Sequence, residues 1–373
     1  MTARGHSVEV VAAHPHYPEP RWGVRARPYR ELRDGLPVLR LPLWVGRGSA
    51  LQRIRQEATF AGALGLTAPT LSTPDVVVAV SPSFPALVPA MANARLRRIP
   101  WVLWLQDVLP DGAVMTGILK EGRLVALARA FERTAYRSAS KVVVISESFR
   151  ENLRAKGVPD SKLVRSYNPA SRPILSAPRP AAGTDPATVL TMGNIGHSQN
   201  LVAVTRAFEE SERLREQGAR FVLAGDGEAG DDVRAVIRTE RATVTGVLSG
   251  TDLEPLLRRA TVAVVSQRYE GIDFNVPSKL MNFMGYGIPI LASVRSDSEV
   301  ARIITASGAG WVTDSADTAE LARQLAEVLG SPAEAARRGE LGLRFAQRNF
   351  HPSQVAGRFE AALAHATRAA HAA

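Results

Sequence analysis

The sequence predicts an α/β protein made of two Rossmann-like, doubly wound domains facing a cleft. Three observations lead there. Short apolar runs alternate with amphipathic helical stretches along most of the chain. One segment rich in proline and small residues, NPASRPILSAPRPAAGTDPA, interrupts that alternation and reads as a linker. A length of 373 residues suits two domains better than one.

The first alternating set runs over residues 1–168. Its strands are expected at Ser7–Ala13, Pro37–Leu41, Asp75–Ser81, Trp101–Gln106, Lys141–Ile145 and Leu163–Ser166. A helix is expected over Gly122–Arg137, with Leu124, Leu127, Phe131 and Ala135 on one stripe. The linker covers 169–186. The second set, 187–349, has strands expected at Thr188–Met192, Arg220–Ala224, Thr243–Gly246, Thr261–Ser266 and Ile290–Ser293. Residues 350–373 form a terminal helix with a frayed, alanine-rich end. Each set should fold into a parallel sheet wound on both faces, with ligands bound outside the carboxyl ends of the strands.

Composition narrows the function classes. With 45% hydrophobic residues the chain can build two sizeable cores. No apolar run reaches the length of a membrane span, and because Met1 leads directly into a strand pattern no secretory leader is expected. Cysteine is absent, which excludes disulfides and thiolate metal sites and fits the cytoplasm. A formal charge of +10 favours anionic partners, but no nucleic-acid-binding signature accompanies it. One stretch concentrates that charge: Arg25, Arg27, Arg30, Arg33, Arg40, Arg47, Arg53 and Arg55 stand among Tyr29, Leu41, Leu43 and Trp44. It reads as a peripheral contact with an anionic membrane surface. The plain alternative is a solvated basic loop followed by one core helix.

Several strand ends carry turn residues suited to a ligand. In VLTMGNIGHSQNL, Gly193 and Gly196 make a tight turn, and a helix is expected near Ser198. In FVLAGDGEAGDD, Gly225, Asp226 and Gly227 repeat the turn, with Asp226 either facing a ligand or capping the loop. Gly246 and Val247 end a third strand, where backbone groups can pair with a base edge. Pro277-Ser278-Lys279 opens a helix with Leu280, Phe283 and Met284 on one face, a left-handed cap at Gly287 and a stop at Pro289. A lysine at a helix N-terminus suits an anion. In the first domain, QDVLPDG places Asp107 and Asp111 after a strand, as site carboxylates or as helix caps. Metal signals are poor: Asp-x-Asp is absent, and His14-Pro15-His16 lacks an evident third ligand. The Gly-x-Ser-x-Gly elbow and the Walker phosphate loop are missing too.

The order of QDVLPD, GNIGHSQNL, VLAGDGE, VTGVLSGTDLEPLLRRATVAVVS and VPSKLMNFMGYGIPILAS resembles glycosyltransferase family 4. The resemblance covers nearly the whole chain and is strongest to the bacterial exopolysaccharide, O-antigen and colanic acid branch, including N-acetyl-L-fucosamine transferases. It implies the GT-B fold, a nucleotide-sugar donor (UDP-linked by expectation) held mainly by the second domain, and a lipid-linked glycan acceptor. Transfer would retain anomeric configuration and need neither cofactor nor metal. The resemblance places Gly193, Asn194, Gly196, Gln199, Gly225, Asp226, Gly246, Val247, Pro277, Ser278, Lys279 and Asn282 at the donor, with Lys279 and Asp107 catalytic.

Departures from the family pattern are specific. Asn194 and Gln199 stand where many relatives carry Arg and Lys for the diphosphate. Asn282 replaces the second Glu of Glu-x7-Glu, and Phe274 falls at the first. Gln106 replaces a histidine before Asp107. The opening MTARGHSVEVV matches the end of the family's first helix and its second strand, so the first strand and its glycine loop are expected to be missing. Two rival readings follow: a sugar-nucleotide epimerase of similar fold, and a truncated, non-catalytic nucleotide-sugar-binding homologue.

Overall fold

The computed structural model describes residues 1–16, 27–46, 49–81, 83–107, 122–178, 186–268 and 276–371. Contacts divide the chain into two units. The first joins Met1–Val144, Arg150–Arg165 and Ala356–Ala373; the second joins Ile145–Phe149 and Ser166–Val355.

The first unit holds two sheets where one parallel sheet was expected. Strand β1 (Val10–Ala13) pairs parallel with β3 (Leu36–Leu41), while β2 (Tyr29–Arg33) pairs antiparallel with β3. The hairpin between β2 and β3 turns on Asp34 and Gly35, both at positive φ. That is the two-residue turn an Asp-Gly pair favours, a signal present in the sequence and masked by the arginine-rich setting. The other sheet is all parallel, in the order β4 (Val77–Ser81), β5 (Trp101–Leu105), β6 (Lys141–Val144) and β7 (Leu163–Arg165). Strands β5 and β6 are almost wholly buried, as continuous apolar runs in a doubly covered sheet must be. Helices α1 (Ala50–Thr67), α2 (Phe84–Leu96), α3 (Arg123–Ser138) and α4 (Glu147–Ala155) belong to this half of the chain.

The second unit is one six-stranded parallel sheet. Its strands are β8 (Thr188–Met192), β9 (Arg220–Ala224), β10 (Ala242–Val244), β11 (Val262–Ser266), β12 (Ile290–Ser293) and β13 (Gly310–Thr313), ordered β10-β9-β8-β11-β12-β13. Strand β13 was not foreseen: it is four residues long and opens on Gly310, whose Cα lies so close to Ile290 that a Cβ would meet the Ile290 carbonyl at 1.8 Å. The helices are α5 (Leu201–Glu210), α6 (Glu212–Glu216), α7 (Gly230–Val236), α8 (Gly250–Arg259), α9 (Ser278–Gly285), α10 (Glu299–Ser307), α11 (Thr318–Leu329) and α12 (Pro332–Asn349). Two apolar clusters cover the two faces of the sheet, one built around α9 and the other around α5 and α11.

Helix α9 is buried all round from Lys279 to Gly285, not on one face only. Its end is as expected: Gly287 adopts φ +64 and Pro289 follows. The linker expected at 169–186 is described to residue 178, and there it lies on the second unit. The Ala170 N–H donates to the Phe350 carbonyl at 2.9 Å and the Leu175 N–H to the Gly285 carbonyl at 2.9 Å.

The last helix, α13, is described from Pro352 to His371. Ala362 and Ala366 are buried against Val102 and Val143, with Phe359 tilted over Trp104 at a ring separation of 5.0 Å. Small side chains let this helix approach the sheet of the first unit. Ala366→Leu should therefore overpack the contact and cost about 1–3 kcal/mol of stability. Urea unfolding would measure it, and an unchanged midpoint would place Ala366 outside the core.

Candidate functional site

The order of the second sheet creates a switch point. From β8 the chain winds outward through β9 and β10; it then returns to β11 on the other side of β8 and continues through β12 and β13. Helices that follow β8 and β11 thus leave to opposite faces, and a crevice opens between the carboxyl ends of those strands. Gly193 follows β8 and Lys279 follows β11, so the two motifs meet there.

The loop after β8 is shaped by backbone contacts. The Gly193 N–H donates to the Ala224 carbonyl at 2.9 Å, and the Ile195 N–H donates to the Asp226 carbonyl at 2.9 Å. A Cβ on Gly225 would lie 1.8 Å from the Gly193 carbonyl oxygen, so only glycine fits. Gly227, at φ +159, sits against Asn194 Oδ1 and the Ile195 carbonyl. The helix expected near Ser198 begins instead at Leu201. A 3-10 turn at His197–Gln199 and a left-handed Asn200, φ +51, come first. This extra turn carries Gln199 back over the loop, where its Nε2 donates to the Asn194 carbonyl at 2.5 Å.

Lys279 completes the cluster. Its ammonium donates to Gln199 Oε1, and its Cε lies 3.9 Å from where a Cβ of Gly193 would be. The side chain is only 8% exposed. No carboxylate pairs with it among the described residues. Burial alone pushes its pKa from 10.5 to about 8. Helix α9, which carries it, has Pro277 at its N-cap and no side-chain cap. By contrast Ser249, Ser298 and Asp317 cap α8, α10 and α11. A buried cation, an uncapped helix N-terminus and a glycine-lined loop converge on one place, and all three favour an anion.

Thus Gly193, Asn194, Gly196, Gln199, Gly225, Pro277, Ser278 and Lys279 lie in or beside this cluster. Asp226 contributes its carbonyl, but its carboxylate is held by the Gly227 N–H at 2.9 Å and by Arg234 at 3.4 Å. Asn282 is 5% exposed and faces elsewhere: its Oδ1 accepts from the Arg172 N–H at 3.2 Å and its Nδ2 donates to Ser171 Oγ at 3.0 Å. It anchors residues 171–172. Gly246 and Val247 lie past β10, two strands out from β8, with Val247 83% exposed. Asp107 is half-buried just beyond β5 in the first unit. Asp111 and Phe274 lie outside the described residues, as do Arg25 and Arg47.

The arginine-rich segment is partly spent on structure. Arg30 pairs with Glu9 at 2.6 Å, and Arg40 is held by Glu31 at 2.8 Å and the Ala13 carbonyl at 3.1 Å. Leu41 is fully buried. Arg40 and Leu41 are thereby enclosed in the small sheet, whereas Arg30 stays exposed. Arg55 stays exposed, its guanidinium 4.0 Å from the Trp44 ring, and Arg53, Leu51 and Ile54 are exposed on the same first turns of α1. Among the described residues no helix is long and apolar enough to cross a membrane.

Two Rossmann-like units, each containing a parallel sheet flanked by helices, are the architecture of the GT-B class of glycosyltransferases. Residues 1–169 match the model of the glycosyl transferase 4-like domain and residues 186–331 that of the glycosyl transferases group 1. Together they account for most of the chain, which belongs to glycosyltransferase family 4. Its sequence is 28% identical over 324 residues to WcaI of Escherichia coli (strain K12), a protein named for colanic acid biosynthesis, covering 81% of this chain and 79% of that one. It is also 28% identical over 240 residues to WbjE of Pseudomonas aeruginosa, named as a glycosyltransferase, covering 61% of this chain and 59% of that one. The fold is shared with sucrose-phosphate synthase of Thermosynechococcus elongatus, with a TM-score of 0.68 at 16% identity over 96% of this chain and 89% of that one. It is shared as well with Anabaena HepE in complex with UDP, with a TM-score of 0.63 at 16% identity over 84% of each.

The buried lysine has a consequence for stability. Below pH 8 both folded and unfolded chains keep its proton, and the burial penalty is fully present. Between about 8 and 10.5 the folded chain gives up the proton that the unfolded chain retains, so this contribution to stability rises with pH. Lys279→Met should therefore stabilise the fold at pH 7, by roughly 1–3 kcal/mol, and the gain should shrink toward pH 10. Urea unfolding at the two pH values would check this; a gain that does not shrink would mean the ammonium is solvated.

Proposed function

We propose that the protein is a retaining, metal-independent glycosyltransferase of cell-surface polysaccharide synthesis. It takes a hexose or N-acetylaminosugar from a UDP-linked donor and passes it to a lipid-linked or growing polysaccharide acceptor. The observation that carries this reading is Lys279, a buried cation at an uncapped helix N-terminus whose partner among the described residues is a neutral amide oxygen. Such a group is held at a cost that an anionic ligand offsets. The donor diphosphate is the anion this reading assigns: its oxygens replace Gln199 Oε1 at Lys279, and the amides of Ser278 and Lys279 face it. The glycine loop at 193–196 admits the phosphates at backbone distance, and the backbone at Gly246 and Val247 receives the base.

In the reaction the bond between the anomeric carbon and the β-phosphate oxygen breaks, and the acceptor oxygen bonds to that carbon on the same face. The acceptor proton passes to the departing phosphate. Negative charge grows on the diphosphate as this happens, and Lys279 binds it more strongly in the transition state than before. Asp107 is assigned to the donor sugar or the acceptor. Asn282 is not given a donor contact, because its amide already anchors residues 171–172. The choice of UDP is supported by the UDP complex of the structurally similar HepE, and the polysaccharide setting by the name of WcaI.

Calorimetry with UDP, GDP and ADP in the presence of a chelator should give the tightest binding for UDP. Lys279→Met should lower sugar transfer about a hundredfold or more, the usual scale for losing one preorganised donor at developing charge. Preference for GDP, strict dependence on a divalent cation, or near-normal transfer by the variant would each overturn its part of the assignment.

An acceptor carried on a lipid places the enzyme at the inner face of the membrane. Trp44, Leu51 and Ile54 beside Arg53 and Arg55 make an exposed apolar and basic surface on the first unit, suited to shallow insertion among anionic headgroups. The protein should float with anionic vesicles at low salt. Arg53→Glu combined with Arg55→Glu should release it, and failure of the unaltered chain to float would point to a soluble acceptor.

A further inference from the structure

The glycine loop of this chain holds neither arginine nor lysine, since 194 is Asn and 199 is Gln. A nucleoside diphosphate leaving group carries about three negative charges near neutral pH. Lys279 supplies one positive charge and the N-terminus of α9 about half of another. A second full charge has to come from an element other than the loop.

Arg268 is placed to supply it. It stands two residues beyond β11, on the strand that borders β8 at the switch point. Its N–H donates to the Ser198 carbonyl at 2.8 Å, which ties residue 268 to the turn carrying Gln199. On the other side the preceding Gln267 N–H is fixed by the Ser293 carbonyl at 3.0 Å. The backbone is thus held by the turn before α5 and by the end of β12, while the side chain is exposed. Many arginines of this unit face a carboxylate: Arg258 pairs with Glu254, Arg295 with Asp297 and Arg323 with Glu320. Arg268 forms no ion pair among the described residues. An arginine with a fixed base and an uncommitted guanidinium, next to the turn that covers a buried lysine, suits bidentate contact with a phosphate.

We propose that Arg268 is the second phosphate-binding cation of the donor site and replaces the basic residues missing from the glycine loop. The proposal rests on the donor reading above. It divides labour between the cations: Arg268 grips the diphosphate before and during the reaction, whereas Lys279 answers the charge that develops as the bond breaks. Loss of Arg268 should accordingly raise KM more than it lowers kcat.

The test is titration of the unaltered chain, Arg268→Ala and Arg268→Lys with inorganic pyrophosphate, with UDP and with uridine. Arg268→Ala should weaken pyrophosphate and UDP by roughly tenfold or more, the scale of one charged hydrogen bond. Uridine, which lacks phosphate, should bind all three proteins alike. Arg268→Lys should restore part of the loss, since it keeps the charge without the planar fork. Equal affinity of the unaltered chain and Arg268→Ala for pyrophosphate and UDP would overturn the proposal. If the unaltered chain binds pyrophosphate but not UDP, the UDP reading falls while the pyrophosphate series still decides Arg268. If it binds neither, both fall.

Discussion

The second unit is organised around one electrostatic constraint: an ammonium group is buried at the carboxyl edge of the sheet and, among the described residues, meets an amide oxygen and no carboxylate. Lys279 is held there because helix α9 is enclosed on all sides, by the sheet, by α12 and by residues 170–175. An enclosed helix cannot turn its lysine into solvent. The cost of keeping that charge inside is expressed in a pKa near 8. A fold selected for stability alone would place an apolar residue at this position.

Other features of the site follow from giving that cation a ligand. The loop after β8 has to pass close to β9, and the spacing leaves no room for a side chain at Gly225. The 3-10 turn ahead of α5 delays the helix by three residues, which brings Gln199 over the loop and onto Lys279. Gln199 thus satisfies the ammonium and the Asn194 carbonyl together without adding charge. Asn282, one turn beyond Lys279 on the same helix, anchors residues 171–172. One short helix therefore both presents the cation and fastens the segment leading into the second unit. A buried carboxylate, Glu299, performs a related task at the start of α10. It accepts from the N–H groups of Glu147 and Ser148 at 3.1 and 3.0 Å and fastens residues 145–149 to the same unit. Nothing in the local sequence distinguishes it from an ordinary first-turn glutamate.

Much of this was legible beforehand. Strands β8, β9 and β12 begin and end where apolar runs meet turn residues, because a strand buried on both faces tolerates little else. The cap of α9 was readable because a positive φ there strongly favours glycine. Less legible were elements whose identity depends on partners. Strand β2, Tyr29-Arg30-Glu31-Leu32-Arg33, lacks a clean apolar alternation and becomes a strand through pairing with β3, although Asp34-Gly35 announced the turn. Arg40 looked like part of a basic surface until Glu31 and the Ala13 carbonyl enclosed it.

By itself the sequence determined the α/β class, the family, the glycine turns and the lysine at the head of α9, since these are set by local backbone geometry and by spacing along the chain. The tertiary structure alone decided which residues share a site. It turned Asn282 away to residues 171–172, gave the carboxylate of Asp226 to Arg234, put Gln199 on Lys279 and brought Arg268 beside Ser198. The physical reason is that a polar side chain's role follows from the partner that burial leaves within hydrogen-bond reach. Strand order chooses that partner, and the order β10-β9-β8-β11-β12-β13 is fixed by packing between segments far apart in the chain.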